Sequence, residues 1–419
     1  MRRVLIVAYY FPPLGGIGSL RVCGFATHLP EYGWDPTVLA PRNGAYYRDP
    51  ELRFPEDRVV RTPSLELSRA GKRLLRTGGG DVVPAAVGGV RVTLRNVARA
   101  TLYFPDAQVG WYAPALLTAR EALRNQSFDA IFSSSFPITA HLIARRLHRW
   151  MRIPWVAEFR DPWSEMLPAG GRTGKRAARL ERSIAHDAAG LVMTSPSWAS
   201  LHARAWNREV TVIPNGHGEY EPPADHPDGE FSLGYLGSYY PATQRLRAVW
   251  DAVKRINHSG GPSVDRLRFI GDLHPALRQE LRDRGLESLV EATGFLPHDD
   301  ASRALRRSSV LLVAGPYDAR GILRGHLAAK LSEYLATDLP IVYTGDPDCD
   351  AADFLRRHPG CHIVGGDDVE GVVRALRVSR GQRIRRDATG LTKRKLTGRL
   401  AELLDAACEP RPLSVSPIG

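Results

Sequence analysis

Short runs of aliphatic and β-branched residues alternate along the chain with longer stretches in which apolar positions recur every three or four residues. The runs at 4–8, 36–40, 58–62, 128–133, 154–159, 191–195 and 210–214 predict strands. Between most of them, 19–32, 113–124, 139–151 and 175–187 have helical length and period. Parallel neighbours need a crossover, and a helix supplies it, so this succession predicts an α/β fold with a doubly wound parallel sheet. The rhythm breaks over 64–101, which contains Thr77-Gly78-Gly79-Gly80 and no clean period. An insertion of this kind often lines a substrate cleft.

A polar segment follows at 215–228, with Glu221-Pro222-Pro223 and His226-Pro227, and has the composition of a linker. Beyond it the alternation restarts, with strands expected at 231–236, 267–270, 290–295, 310–314, 340–344 and 362–364 and a final helix at about 391–407. The expected organisation is therefore a Rossmann-like domain over 1–218, a second over 229–390, and a closing helix over 391–408. Paired halves of this kind hold their ligand at the cleft where the strands end.

Composition agrees with two domains. A chain of 419 residues exceeds what one hydrophobic core ordinarily serves, and 43% apolar with 24% charged residues is the makeup of a globular protein. The balance of 57 basic against 45 acidic residues gives a net charge of +12, which points to anionic company: nucleotide phosphates, nucleic acid or an acidic membrane surface. The positive residues are spread along the chain with no zinc-finger, homeodomain or RNA-recognition signature, which argues against a nucleic-acid partner. Lysines are few: Lys72, Lys175, Lys254, Lys330, Lys393 and Lys395. Cys23, Cys349, Cys361 and Cys408 are scattered and form no disulfide framework, so a reducing cytoplasm is the expected compartment. No apolar run approaches the length of a membrane span. Arg2-Arg3 before an apolar run has the look of a signal peptide, but Tyr9-Tyr10-Phe11-Pro12-Pro13 interrupts it and a buried first strand is expected. The stretch Arg145-Arg146-Leu147-His148-Arg149-Trp150-Met151-Arg152 mixes basic and aromatic residues as an interfacial helix does, so peripheral association with an anionic membrane is an expectation as well.

Several loops at strand ends carry candidate chemistry. Gly15, Gly16 and Gly18 lie between the first strand and its helix, where small residues and free amides suit an anion. Arg160 and Asp161 close the strand Trp155-Val156-Ala157-Glu158-Phe159: the guanidinium can fork onto a phosphate or hydroxyls, and the carboxylate can accept from a hydroxyl. His141, at a helix start, can reach the same end of the sheet. In the second half Gly237, Ser238 and Arg245 occupy an equivalent turn. The segment from Arg324 through His326, Leu327, Ala328, Lys330 and Glu333 adds a glycine-bounded loop, first-turn amides, a cation and a carboxylate able to accept both hydroxyls of a ribose. Asp346-Pro347-Asp348 reads as a turn with a helix cap, and no metal centre is expected.

Taken together, Tyr9-Tyr10-Phe11-Pro12-Pro13-Leu14-Gly15-Gly16, Phe159-Arg160-Asp161-Pro162-Trp163, Val212-Ile213-Pro214-Asn215-Gly216 and Lys330-Leu331-Ser332-Glu333-Tyr334-Leu335-Ala336 resemble the GT-B glycosyltransferases, and in particular the retaining glycosyltransferase family 4 and its bacterial relatives. The resemblance covers nearly the whole chain. It implies a metal-independent enzyme that moves a sugar from a nucleoside-diphosphate sugar, a UDP-sugar being favoured, to a hydroxyl acceptor such as a glycan, a lipid-linked precursor or a small molecule. It also implies Gly15 and Gly16 against the diphosphate or acceptor, Arg160 where many relatives have a sugar-contacting His, Arg245 on phosphate, Glu333 on the ribose, amides near Leu327 and Ala328 on the β-phosphate, and a final helix returning to the first domain. Two positions depart from the pattern: Gly325 stands where many relatives carry the first of two glutamates, and the usual lysine of the phosphate pair is missing, with Lys330 or Arg245 as its substitute. A nucleotide-sugar epimerase of similar two-domain fold is the alternative.

Overall fold

The computed structural model describes residues 1–65 apart from 43, 45 and 46, residues 103–218 apart from 169, and residues 229–409. Most of the irregular stretch at 64–101, and most of the linker at 215–228, fall outside the described residues. The chain divides into two compact units: Met1–Thr194 with Trp198–Ile213 and the terminal helix Lys393–Cys408, and Pro214–Thr392 with the short Ser195–Ser197.

The first unit is built on seven parallel strands, β1 (Arg2–Val7), β2 (Trp34–Pro41), β3 (Val59–Thr62), β4 (Ala130–Ser135), β5 (Trp155–Phe159), β6 (Gly190–Met193) and β7 (Thr211–Val212), in the order β3-β2-β1-β4-β5-β6-β7. The order reverses direction between β1 and β4, which is the switch point where an open α/β sheet presents its loops. Alternation of side chains along β1 sorts its residues to two layers. Leu5 and Val7 join the core under the helices Tyr112–Ala122, Thr139–Met151 and Arg172–Asp187, whereas Val4 and Ile6 join the core shared with Ile17–His28 and the terminal helix. With both faces covered, the strands read as continuous apolar runs, and that made them legible.

The second unit repeats the plan with six parallel strands, β8 (Ser232–Leu236), β9 (Arg266–Ile270), β10 (Val290–Ala292), β11 (Val310–Ala314), β12 (Ile341–Gly345) and β13 (Cys361–Gly365), ordered β10-β9-β8-β11-β12-β13. Val310, Leu312 and Ala314 enter one core layer, and Leu311 and Val313 the other. Two parallel, doubly wound α/β units are thus the architecture.

Boundaries moved where special residues act. The helix expected to reach residue 32 ends at His28 and continues as a 3-10 turn, Leu29–Tyr32, with Pro30 inside it and Gly33 stopping it. The strand expected at 210–214 is only Thr211–Val212, since Pro214 has no amide to offer a ladder. The terminal helix packs on Ile17–His28 in the first unit, where a Cβ on Gly24 would come within 3.1 Å of the Lys393 side chain.

Candidate functional site

In the first unit, β1 delivers the chain into Gly15-Gly16 and then into the helix Ile17–His28. Gly16 is the cap residue, with φ 86, which a side chain would strain. No side chain caps this helix and its first turn holds no acidic residue, so positive potential gathers at its start. Gly15 accommodates the Tyr47 ring, 2.5 Å from where a Cβ would stand. Against the same turn lies Arg160, whose Nη1 is 2.1 Å from the position a Cβ on Gly18 would take. Gly18 is therefore a space for the guanidinium. Arg160 is aimed by donating through Nε to the Ser135 carbonyl and through Nη2 to the Phe136 carbonyl, the latter at 2.9 Å. Burial lowers its pKa, while the carboxylates of Asp161 and Glu158 oppose that shift.

Behind Arg160 is a buried ion pair that sequence reasoning did not single out. Glu158, with no exposed surface, accepts from Arg21 at 2.7 Å and from the Ser134 hydroxyl at 2.6 Å, and Arg21 also donates to the Ile213 carbonyl. The pair satisfies charges that would otherwise be prohibitive in a core, and it ties β4, β5 and the first helix together just below the loop. Its only sequence signal is a glutamate in an otherwise apolar strand.

His141 does not reach a surface. It is fully buried, its ring 4.5 Å from that of Phe159, and its Nδ1 lies 2.8 Å from the Ser133 hydroxyl, which itself accepts from the Trp155 indole. Burial, and secondarily the nearby Arg160 cation, bring its pKa down to about 3, so the ring is neutral. Its ring packs against Phe159, the residue that precedes Arg160. Asp161 is half-buried, and its carbonyl accepts from the Trp163 amide.

In the second unit, β8 ends at Leu236, whose amide donates to the buried Tyr334 hydroxyl. Gly237 follows with φ 87, a conformation a side chain would strain, and Nζ of Lys330 lies beside it, 4.0 Å from where a Cβ would stand. The same ammonium sits 4.0 Å from the centre of the Tyr235 ring, a cation–π contact between residues far apart in sequence. Burial brings the Lys330 pKa down to about 7. The turn is held by Gln244, which accepts from the Tyr235 hydroxyl and the Tyr240 amide. Ser238 contributes its carbonyl to Tyr235. Arg245 is exposed, its guanidinium 4.1 Å over the Tyr317 ring, and it precedes the helix Arg247–His258 by two residues.

The expected helix start at residue 325 is displaced. Ile322–Gly325 is a 3-10 turn organised by Asp318, which accepts from the Ile322 and Leu323 amides, and the helix proper is the short Lys330–Leu335. Leu327 and Ala328 therefore lie in the lead-in. His326, Ala328 and Lys330 line a recess with Gln244 and Pro316. Asn215, in the Pro-Asn-Gly motif, accepts through its carbonyl from Ser332 and holds this helix. Glu333 does not bridge Lys330: its Oε1 is 3.6 Å from Nε2 of His298, and its side chain keeps 11% exposure. His298 and Tyr235 are the residues of this region that the sequence pattern did not mark.

Asp346 accepts from Arg324 and from the Asp348 amide, as a turn residue does. Among the described residues no group of three metal-ligating side chains occurs, and no helix is long and apolar enough to cross a membrane.

A two-unit α/β architecture with glycine-lined turns and cations at the strand ends is that of the GT-B glycosyltransferases. Residues 15–216 match the glycosyl transferase 4-like domain, and residues 230–378 match the glycosyl transferases group 1 domain. The chain belongs to this glycosyltransferase family and is an enzyme acting on a nucleotide-sugar. No curated protein matches its sequence. Solved structures with the same fold include a sucrose-phosphate synthase from Thermosynechococcus elongatus, at 13% identity over 98% of this chain and 95% of that one, TM-score 0.62. Anabaena HepE in complex with UDP-glucose is similar at 13% identity over 97% and 100%, TM-score 0.59. A putative UDP-N-acetylglucosamine 2-epimerase from Listeria monocytogenes is similar at 12% identity over 98% of both chains, TM-score 0.51.

Proposed function

We propose that this glycosyltransferase takes its sugar from a UDP-sugar and passes it, with retention of anomeric configuration, to a hydroxyl on a glycan, a lipid-linked precursor or a small molecule. The observation that carries the donor assignment is the convergence, in the second unit, of Lys330 beside Gly237 with Glu333 one turn further on. An ammonium next to a side-chain-free turn suits a diphosphate, and a carboxylate at that spacing suits a ribose. Gly237, Ser238, Arg245 and the Leu327 and Ala328 backbone complete the donor set, with His326 in the recess. The UDP-glucose bound to HepE favours uridine as the base.

Charge builds on the leaving diphosphate as the anomeric bond breaks, so donors that tighten on it lower the barrier. The departing phosphate then assists front-face attack by the acceptor hydroxyl. No protein base is needed, which accords with the lack of paired carboxylates in the sequence pattern. In the first unit Gly15, Gly16 and Arg160 supply positive potential for an anionic group of the reacting pair, Asp161 accepts from a hydroxyl, and His141 steadies the strand end from below. Transfer is favoured over epimerisation because both halves of the chain match glycosyltransferase domains. Product analysis with a labelled donor tests the choice.

Lys330 gives this reading a pH signature. A diphosphate favours the protonated ammonium, so affinity for UDP is expected to fall as pH rises through about 7. Folding runs the other way. Between about pH 7 and the ordinary lysine value the unfolded chain holds a proton that the folded chain has lost, so this group makes the free protein more stable as pH rises through that window. Calorimetric UDP titrations across this range check it. A flat profile for the wild type, or the same slope in Lys330→Met, would remove Lys330 from the phosphate.

A further inference from the structure

We infer that the first unit docks on an anionic lipid bilayer through the outer faces of two adjacent helices, Thr139–Met151 and Arg172–Asp187. The helices are packed side by side, with Arg145 and Arg149 both donating to Asp187 and Arg145 also to Ser183. On the second helix, Arg172, Lys175, Arg176, Arg179, Arg182 and His186 are all exposed, and their three- and four-residue steps place them in one stripe. The first helix adds exposed Arg146 and Arg149, with exposed Arg152 just past its end. Among the described residues neither helix carries a carboxylate without a partner, and exposed Glu165 lies on the neighbouring short helix Trp163–Met166. Glu181 is buried and accepts from the Ser164 hydroxyl, and Asp187 is spent on the two arginines; the first helix has no acidic residue.

Residues dispersed in sequence are thus massed in space. Charge alone would also suit nucleic acid, but Trp150 distinguishes the two. Its indole, 46% exposed, is borne by the same stretch of chain as exposed Arg146, Arg149 and Arg152, the combination of an amphipathic ring with cations that sits at the headgroup level of a bilayer. Single-strand binding calls for a series of stacking rings, and base-edge readout for amide side chains; the two helices offer neither. A diffuse anionic surface asks only for what is present, each cation near it contributing independently.

Flotation of the full chain with vesicles of phosphatidylcholine, with and without phosphatidylglycerol, at physiological ionic strength tests the assignment. The protein is expected to float only with the anionic vesicles. Combined Lys175→Gln, Arg179→Gln and Arg182→Gln should lower partitioning about a hundredfold, and Trp150→Ala should weaken it further. Replacing Arg278, Arg282 and Arg303, exposed arginines of the second unit, with Gln should leave it unchanged. Circular dichroism confirms that each variant is folded. Failure to float, equal flotation on neutral lipid, or equal loss in the second-unit variant would overturn the inference. So would a wild type that ignores vesicles while binding random-sequence DNA through the same stripe.

Discussion

Glu333→Ala is expected to raise the KM for the nucleotide-sugar about 10- to 100-fold while leaving kcat within a few-fold of wild type. The magnitude is that of losing charge-assisted hydrogen bonds from a carboxylate to hydroxyls. The pattern follows from where the contact lies: a ribose is remote from the bond being broken, so its binding is the same in the ground and transition states, and such uniform binding appears in KM. Glu333 is well placed for this duty. It stands on the short helix Lys330–Leu335, which Ser332 anchors to the Asn215 carbonyl, and its side chain retains an opening. Nε2 of His298 lies 3.6 Å from Oε1, within ion-pair range of the carboxylate when the imidazole is protonated. Replacement of His298 by Ala should therefore give a smaller change in the same direction. Unchanged donor kinetics in Glu333→Ala would refute the ribose role.

Arg160→Lys is expected to lower kcat by about a hundredfold, the scale of removing one aimed donor from developing negative charge. Lysine keeps the charge but cannot reproduce the fork that donates to the Ser135 and Phe136 carbonyls while turning Nη1 toward Gly18. Arg160→Ala should fall at least as far, and it should lower Tm as well because both carbonyls lose their partner. Reading Tm with kcat separates the two effects: Arg160→Lys loses turnover with little change in melting. Full turnover in either variant would take Arg160 out of the chemistry.

The fold was open to sequence reading because parallel strands covered on both faces are nearly continuous apolar runs, and the helices between them keep a clear period. Motifs at strand ends were equally legible: Gly15-Gly16, Arg160 and Glu333 all fall on loops or helix turns that follow a strand. What stayed hidden was contact between residues remote in sequence. Nothing in the neighbourhood of Lys330 announces that it rests on Tyr235, nor does anything near Arg21 announce Glu158. Position at a helix start made His141 a candidate for chemistry, yet the periodicity that turns one side of that helix to the core puts the ring under Phe159. The basic excess read as dispersed because helical geometry, which gathers positions 172, 175, 176, 179 and 182 onto one face, acts only once the helix is formed.

The reaction itself is tested most directly without knowing the acceptor. Water replaces the acceptor hydroxyl slowly in such a site, so the protein can be incubated with a panel of UDP-sugars, each isotopically labelled at the anomeric carbon, and followed by NMR. The expected result is release of UDP in step with free sugar whose first-formed anomer has the configuration of the donor. That release should be diminished in Glu333→Ala and Arg160→Lys. First-formed sugar of the opposite anomer would contradict retention, and a nucleotide-linked sugar altered at a ring carbon would mark an epimerase and contradict transfer altogether.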